Sequence, residues 1–523
     1  MNVAETIAAY LDAAEAGPVF GYPGDPSVPF LEACRDRGLD FVLARREGTA
    51  GLMASAWGML TGRPGVALST LGPGSTNLVN AVASAWLDRS PMIAISGQIE
   101  TGRYPAFTHQ VVDQEALFGP VSKWAVTVAP HTAGQIMRKA HRIAVAPRPG
   151  PVHISTPGDV IGADCTDDAV LLPPVAPERV AVEVKAPERL TEARRPVLLV
   201  GIGALDAGPE AVRLAERIGA AVVAAPMAKG VVPEDHPLFA GTLDMACNGV
   251  MWGLMDEADV IVAAGFDAVE LIKPWRVEAP VIHVDAVPNV DQIYAAETEF
   301  VGPVPTLLAA LADACPERDG WGARAVAEHR ERLAAAFEAG RVTGALNPSD
   351  VVRVAAEAVP NPIATTDVGS HKLLVGQGWR PSGPRRLLMS NGLSSMGFSL
   401  PAAIAAGLHS PGTPILCFTG DGGLAMVQSE LRLAASRGLP LKVVVFVDGS
   451  LNRIELKQMV RQLPSTGTRI EETDTVKLAE SMGCLGVEVS GERGLADALM
   501  AEHDVPLLIG ARIDPAQYEA QFR

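Results

Sequence analysis

"PILCFTGDGGLAMVQSELRLAASRGLPLKVVVFVDGS", residues 414–450, is the stretch that decides the fold. An apolar run, "PILCF", stops at a Gly-Asp-Gly-Gly turn. An Ala/Leu-rich helical segment follows, and a β-branched run, "LKVVVFV", then ends on a second acid, Asp448. Strand, turn, helix and strand in that order make a βαβ unit with parallel strands. In such a unit Asp421 and Asp448 reach the same edge, at the ends of neighbouring strands. Two carboxylates meeting there suit a hard divalent cation. The amides of Gly422 and Gly423, at a helix start, suit a phosphate. A cation held between carboxylates and a diphosphate explains both features, although an isolated stretch of this kind also reads as a surface turn.

The same alternation recurs in "GVALSTLGPGSTNLVNAVASAW" and "PVLLVGIGALDAGPEAVRLAERIGA". It predicts an α/β chain of doubly wound parallel sheets, with ligands outside the carboxyl ends of the strands. At 523 residues the chain exceeds one ordinary core. The Pro- and charge-rich 165–190 reads as a linker, and 321–346 as a charged helix leading to the cap-like "NPSD" at 347–350. Three domains follow, at 1–165, 190–320 and 347–523. The net charge of -17 argues against nucleic acid and against an anionic membrane surface as partners. Six scattered cysteines without a Cys-x-x-Cys pair fit reduced thiols in a cytoplasmic protein. The opening "MNVAETIAAYLDAAEAG" reads as an amphipathic helix, not a signal peptide.

"GDGG" followed at this distance by "VDGS" resembles the thiamine diphosphate signature of the 2-oxo acid decarboxylase and acetolactate synthase superfamily. The resemblance implies Mg²⁺ ligated by Asp421, Asp448 and the carbonyl of Ser450, with Gly420, Gly422 and Gly423 at the cofactor. Relatives commonly carry Asn-Asn or Asn-Asp at the strand end, where this chain has Val447-Asp448. "TTDVGSHKLL" (365–374) resembles the diphosphate-binding turn, implying contacts from Gly369, Ser370 and His371. "NGLSSMGFSLPAAIAA" (391–406) resembles the aminopyrimidine-holding segment, with Met396 as the apolar wedge and Ser394 as the carbonyl acceptor. "FVLARREGTAGLMASAWGML" places Glu47 where the family's catalytic glutamate meets the aminopyrimidine N1′. Taken alone, Met396 reads as core, His371 as a turn histidine and Glu47 as a helix-start acid. The domains then become aminopyrimidine-binding, middle Rossmann-like and diphosphate/Mg-binding.

"PAFTHQVVDQEALFGPVSKWAV" (105–126) supplies His109 and Gln110 as candidates for proton handling or substrate orientation, with Asp113 and Lys123 nearby. Its "THQ-x-x-D" form also resembles the carboxyethylarginine synthase branch. "LNRIELKQMVRQ" (451–462) would start a helix over the site, offering Asn452, Ile454 and Glu455. The turn "GIGALDAG" (201–208) lacks the acid expected at the next strand end, so FAD in the middle domain is possible but not favoured. The resemblance implies decarboxylation of a 2-oxo acid and transfer of the acyl-anion equivalent to a carbonyl acceptor. The alternatives are a simple decarboxylase of the benzoylformate or pyruvate type, or a carboligase of secondary metabolism. It also implies a homo-oligomer with active sites shared between subunits.

Overall fold

Short Val-, Ile-, Leu- and Ala-rich runs form most strands, and the burial of the central ones on both faces matches a parallel sheet covered by helices. The computed structural model describes residues 1–167, 171–175 and 180–522. The segment read as a linker lies partly outside these residues. Among the described residues there are three six-stranded sheets, parallel throughout.

The first sheet comprises β1 (Val19–Gly21), β2 (Phe41–Leu43), β3 (Gly65–Ser69), β4 (Met92–Gln98), β5 (Trp124–Thr127) and β6 (Pro151–Pro157). Its order is β2-β1-β3-β4-β6-β5. The second has β7 (Pro196–Val200), β8 (Ala221–Ala224), β9 (Phe239–Thr242), β10 (Val260–Ala264), β11 (Val281–Asp285) and β12 (Ala296–Val301). Its order, β12-β11-β10-β7-β8-β9, is the dinucleotide-fold arrangement, with the direction of winding reversing between β7 and β10. The third has β13 (Ile363–Thr366), β14 (Leu387–Met389), β15 (Ile415–Gly420), β16 (Leu441–Val447), β17 (Leu485–Val489) and β18 (Leu507–Arg512). Its order, β14-β13-β15-β16-β18-β17, repeats that of the first sheet. The first and third sheets therefore switch direction at equivalent places, β1/β3 and β13/β15.

The chain packs as two compact units. One holds residues 1–177, 393–411 and 427–439, and so contains the first sheet. The other holds 178–392, 412–426 and 440–523, with the second and third sheets. The N-terminal helix Val3–Ala13 starts on a capping box between Asn2 and Glu5. Asn347 and Asp350 form another before the helix Pro348–Ala358, as "NPSD" predicted. The long helix expected after Gly422 is broken. Helix Asp421–Val427 ends, Gln428 and Ser429 turn, and helix Glu430–Ser436 resumes. The break coincides with the passage of the chain from one unit to the other.

Candidate active site

At the β13/β15 switch, residues 367–370 turn into the helix Ser370–Gly378. Asp367, fully buried, ties this turn to β15: its amide donates to the Phe418 carbonyl at 2.9 Å. Gly423 lets the next helix pass close to it, since a Cβ there would lie 3.0 Å from the Asp367 carboxyl. His371 is buried and stacks on Phe446 at 5.2 Å between ring centroids. Burial pushes its pKa down to about 3, so the ring is neutral. Its Nε2 is buried without a hydrogen-bond partner among the described residues. Two glycines flank the ring, since a Cβ at Gly369 or Gly420 would lie 2.6 or 3.1 Å from its Cε1. A bare ring nitrogen in a cradle that side chains would fill fits a diphosphate, whose oxygens would supply the missing partner. The Ser370 hydroxyl donates to Asn452 Oδ1 at 2.6 Å, joining this turn to the helix Asn452–Val460.

One strand over, Asp421 Oδ2 accepts from the amides of Gly449 at 2.8 Å and Asp448 at 3.2 Å. Asp448 Oδ1 accepts from the Ser450 amide at 3.0 Å. The register pairing Gly420 with Phe446 brings the two acids to one edge, as the βαβ spacing predicted. Burial, then the charge of Asp421, pushes Asp448 up to about 7. Burial also raises Asp421. Two half-buried acids, one raised by the other's charge, are a donor set that a divalent cation relieves. Among the described residues no group of three His, Cys, Asp or Glu side chains could hold a metal. Two carboxyls and a carbonyl, with phosphate oxygens filling the remaining positions, is the Mg²⁺ pattern. Ser450 is held through its hydroxyl by Glu455, which also pairs with Arg469 at 2.6 Å. Ile454 is exposed.

In the other unit, Glu47 begins the helix Glu47–Thr61 and is 8% exposed. Asn77 Nδ2 donates to its Oε2 at 3.2 Å. A Cβ at Gly74 would lie 3.1 Å from its Oε1, and one at Gly72 would lie 2.7 Å from Gln110 Cβ. The loop after β3 thus has Glu47 against one of its glycines and Gln110 against another. Gln110 adopts a left-handed backbone, φ 59°. His109 is exposed beside the Phe107 ring. Asp113 caps the helix Gln114–Phe118, and Lys123 donates to the carbonyls of Ala146 and Arg148, so both have structural employment. Ser394 and Met396 belong to this same unit. Met396 is half-buried, not core, and Ser395 accepts from Asn80 at 2.8 Å. Sequence reasoning missed Asp367 and Glu430. Asp367 stood in view at a strand end. Glu430, inside an Ala/Leu helix, looks like any surface acid, yet it is fully buried.

The middle turn does not fit a dinucleotide. The amides of Gly201, Ile202, Gly203 and Ala204 donate to Ala264 O, Glu270 Oε2, Gly265 O and Gly201 O respectively. Phosphate binding at such a turn needs free N–H groups, and these four are engaged. Glu270 is fully buried in the crevice beside β7 and β10, where a Cβ at Gly201 would lie 2.5 Å from its Oε2.

The chain is similar to known proteins along most of its length. Family models of thiamine pyrophosphate enzymes match in three places: the N-terminal TPP binding domain at residues 1–117, the central domain at 184–311 and the C-terminal TPP binding domain at 367–511. A probable acetolactate synthase large subunit of Methanocaldococcus jannaschii is 32% identical, over 99% of this chain and 93% of the relative. The acetolactate synthase of Bacillus subtilis is 29% identical, over 95% and 90%. A probable 2-ketoarginine decarboxylase of Pseudomonas aeruginosa is 30% identical, over 89% and 85%.

Proposed function

Because the chain belongs to the thiamine pyrophosphate enzyme family, we propose that it decarboxylates a 2-oxo acid and passes the acyl-anion equivalent to a carbonyl acceptor, as an acetolactate synthase-like enzyme. The observation that carries the reading is the paired Asp421 and Asp448 at the strand edge next to the His371 turn. When bound, thiamine diphosphate supplies the electron sink for the pair left as CO₂ departs. Asp421, Asp448 and the Ser450 carbonyl would hold Mg²⁺. The turn at Gly369, Ser370 and His371, with Gly420, Gly422 and Gly423, would seat the diphosphate. Ser394 and Met396 would hold the aminopyrimidine. Glu47 would share a proton with its N1′, and burial beside the ring suits that role. Gln110 and His109 would orient substrate.

The relative named as a 2-ketoarginine decarboxylase supports a second reading, decarboxylation without carboligation. Incubation with thiamine diphosphate, Mg²⁺ and pyruvate or other 2-oxo acids separates the two. Acetolactate or another acyloin supports carboligation, and aldehyde alone supports the second reading. Release of neither product overturns both. The three-domain division at 1–165, 190–320 and 347–523, a cytoplasmic location, and a homo-oligomer with shared active sites complete the proposal. Free cysteines support the location. FAD forms no part of it, given the engaged turn at Gly201.

A further inference from the structure

Glu430 is the first residue of a seven-residue helix, Glu430–Ser436, in the same unit as Glu47. Its Oε1 accepts from the Arg45 amide at 2.8 Å and from the Thr49 hydroxyl at 2.5 Å. These partners bracket Glu47, two residues before it and two after. The helix they start has no local cap: the residue at its N-cap, Arg46, makes no side-chain capping bond. A helix start normally finds such partners in the Ser, Thr, Asp or Asn just before it. Here the turn into the helix is tied by a residue distant in sequence, through the Arg45 amide before the helix and the Thr49 side chain inside its first turn.

We infer that Glu430 is a positioning residue for Glu47, fixing the turn between β2 and the helix so that the Glu47 carboxyl is held against Asn77 and the loop after β3. Four further observations agree. Among the described residues Glu430 Oε2 is buried without a partner, an arrangement that a plain stability role does not require. The Thr49 hydroxyl also reaches the Arg46 carbonyl at 2.7 Å, so its single proton cannot serve both oxygens. Burial raises the pKa of Glu430. Finally, a Cβ at Gly48 would come 3.2 Å from the Asn77 carbonyl, leaving little room for the turn to shift without moving Glu47. The break at Gln428–Ser429 gains a reason: it lets Glu430 turn in to this contact.

The inference rests on the reading of Glu47 given above, and the experiment separates the two. In holoenzyme loaded with thiamine diphosphate and Mg²⁺, the exchange of the cofactor C2 hydrogen with deuterium is timed by quenching and NMR, without substrate. Glu47→Gln tests the premise. Exchange at the wild-type rate in that variant removes the role of Glu47, and the inference with it. With the premise standing, Glu430→Ala slows exchange about tenfold or more, as misplacing a catalytic group does, and leaves cofactor affinity unchanged. Glu430→Gln, which keeps the acceptor for Arg45, recovers part of the rate. Glu430→Ala in a Glu47→Gln background adds no further loss, because the residues act as one unit. Wild-type exchange in a folded Glu430→Ala, or losses that multiply in the double variant, overturns the inference. If Glu430→Ala fails to fold, Thr49→Val and Glu430→Gln carry the same test, and wild-type exchange in both overturns it.

Discussion

Asp421 and Asp448 face the same edge because a βαβ unit returns its second strand parallel to the first. The structure adds what each acid costs. With Asp448 pushed up to about 7 by burial and by Asp421, the Mg²⁺ proposed for this site would have to displace a proton below that pH. The affinity for Mg²⁺ therefore rises as pH increases through about 7 and flattens above it. Titration calorimetry at several pH values checks this, and a flat or falling profile contradicts it. Asp448→Ala is expected to weaken Mg²⁺-dependent cofactor binding by about 100-fold, measured by the same titration. Gly420→Ala brings a methyl 3.1 Å from the His371 ring. Cofactor binding is expected to weaken there while the fold survives, read by cofactor titration alongside circular dichroism.

The turn after β7 in the second sheet and the turns after β13 and β15 in the third each bring glycine to the carboxyl end of a strand. Their difference lies in which polar groups are left open. In the third sheet, His371 keeps a bare nitrogen beside Gly369 and Gly420. In the second, the four amides from Gly201 to Ala204 already have acceptors, Glu270 among them. The expected outcome is that FAD added to the holoenzyme keeps its free fluorescence. Stoichiometric quenching would contradict it. The missing acid after β8 hinted at this outcome, but Glu270, from the loop after β10, could not be linked to the turn before the sheet order was known. The broken helix at 421–436 escaped sequence reasoning for a similar reason. Its Ala and Leu content favours one continuous helix, and the competing contact lies far away at Arg45 and Thr49.

Across the whole molecule, three buried histidines link stability to acid. Burial pushes His153 and His371 down to about 3 and His329 to about 4. Each has a folded-state pKa below its unfolded value of about 6.5, so below that pH the unfolded chain binds more protons. Stability is fully present above about 6.5 and is lost as pH falls through the window down to about 3. Thermal unfolding of the cofactor-free protein should therefore show a falling Tm below about pH 6.5. His153→Phe, next to the stacked Phe118 ring at 3.8 Å, should flatten part of that slope if it folds. The proposed sharing of sites between subunits has its own measurement. Mixing inactive Glu47→Gln and Asp421→Ala proteins after reversible dissociation should restore turnover, because hybrids rebuild one intact site. No recovery would contradict a shared site.

Local rules determined the sheet class, the βαβ edge carrying Asp421 and Asp448, the caps at Asn2 and Asn347, and the motifs around His371 and Glu47. Each depends on residues a few positions apart, or on the fixed geometry of one strand–helix–strand return. The tertiary structure alone decided three things. It made the first and third sheets topological copies, closed the middle turn with Glu270, and moved Glu430 from an apparent surface helix to the root of Glu47. These are pairings between residues distant in sequence. Nothing in a neighbouring side chain encodes them, because burial and hydrogen-bond partners exist only once the sheets have assembled.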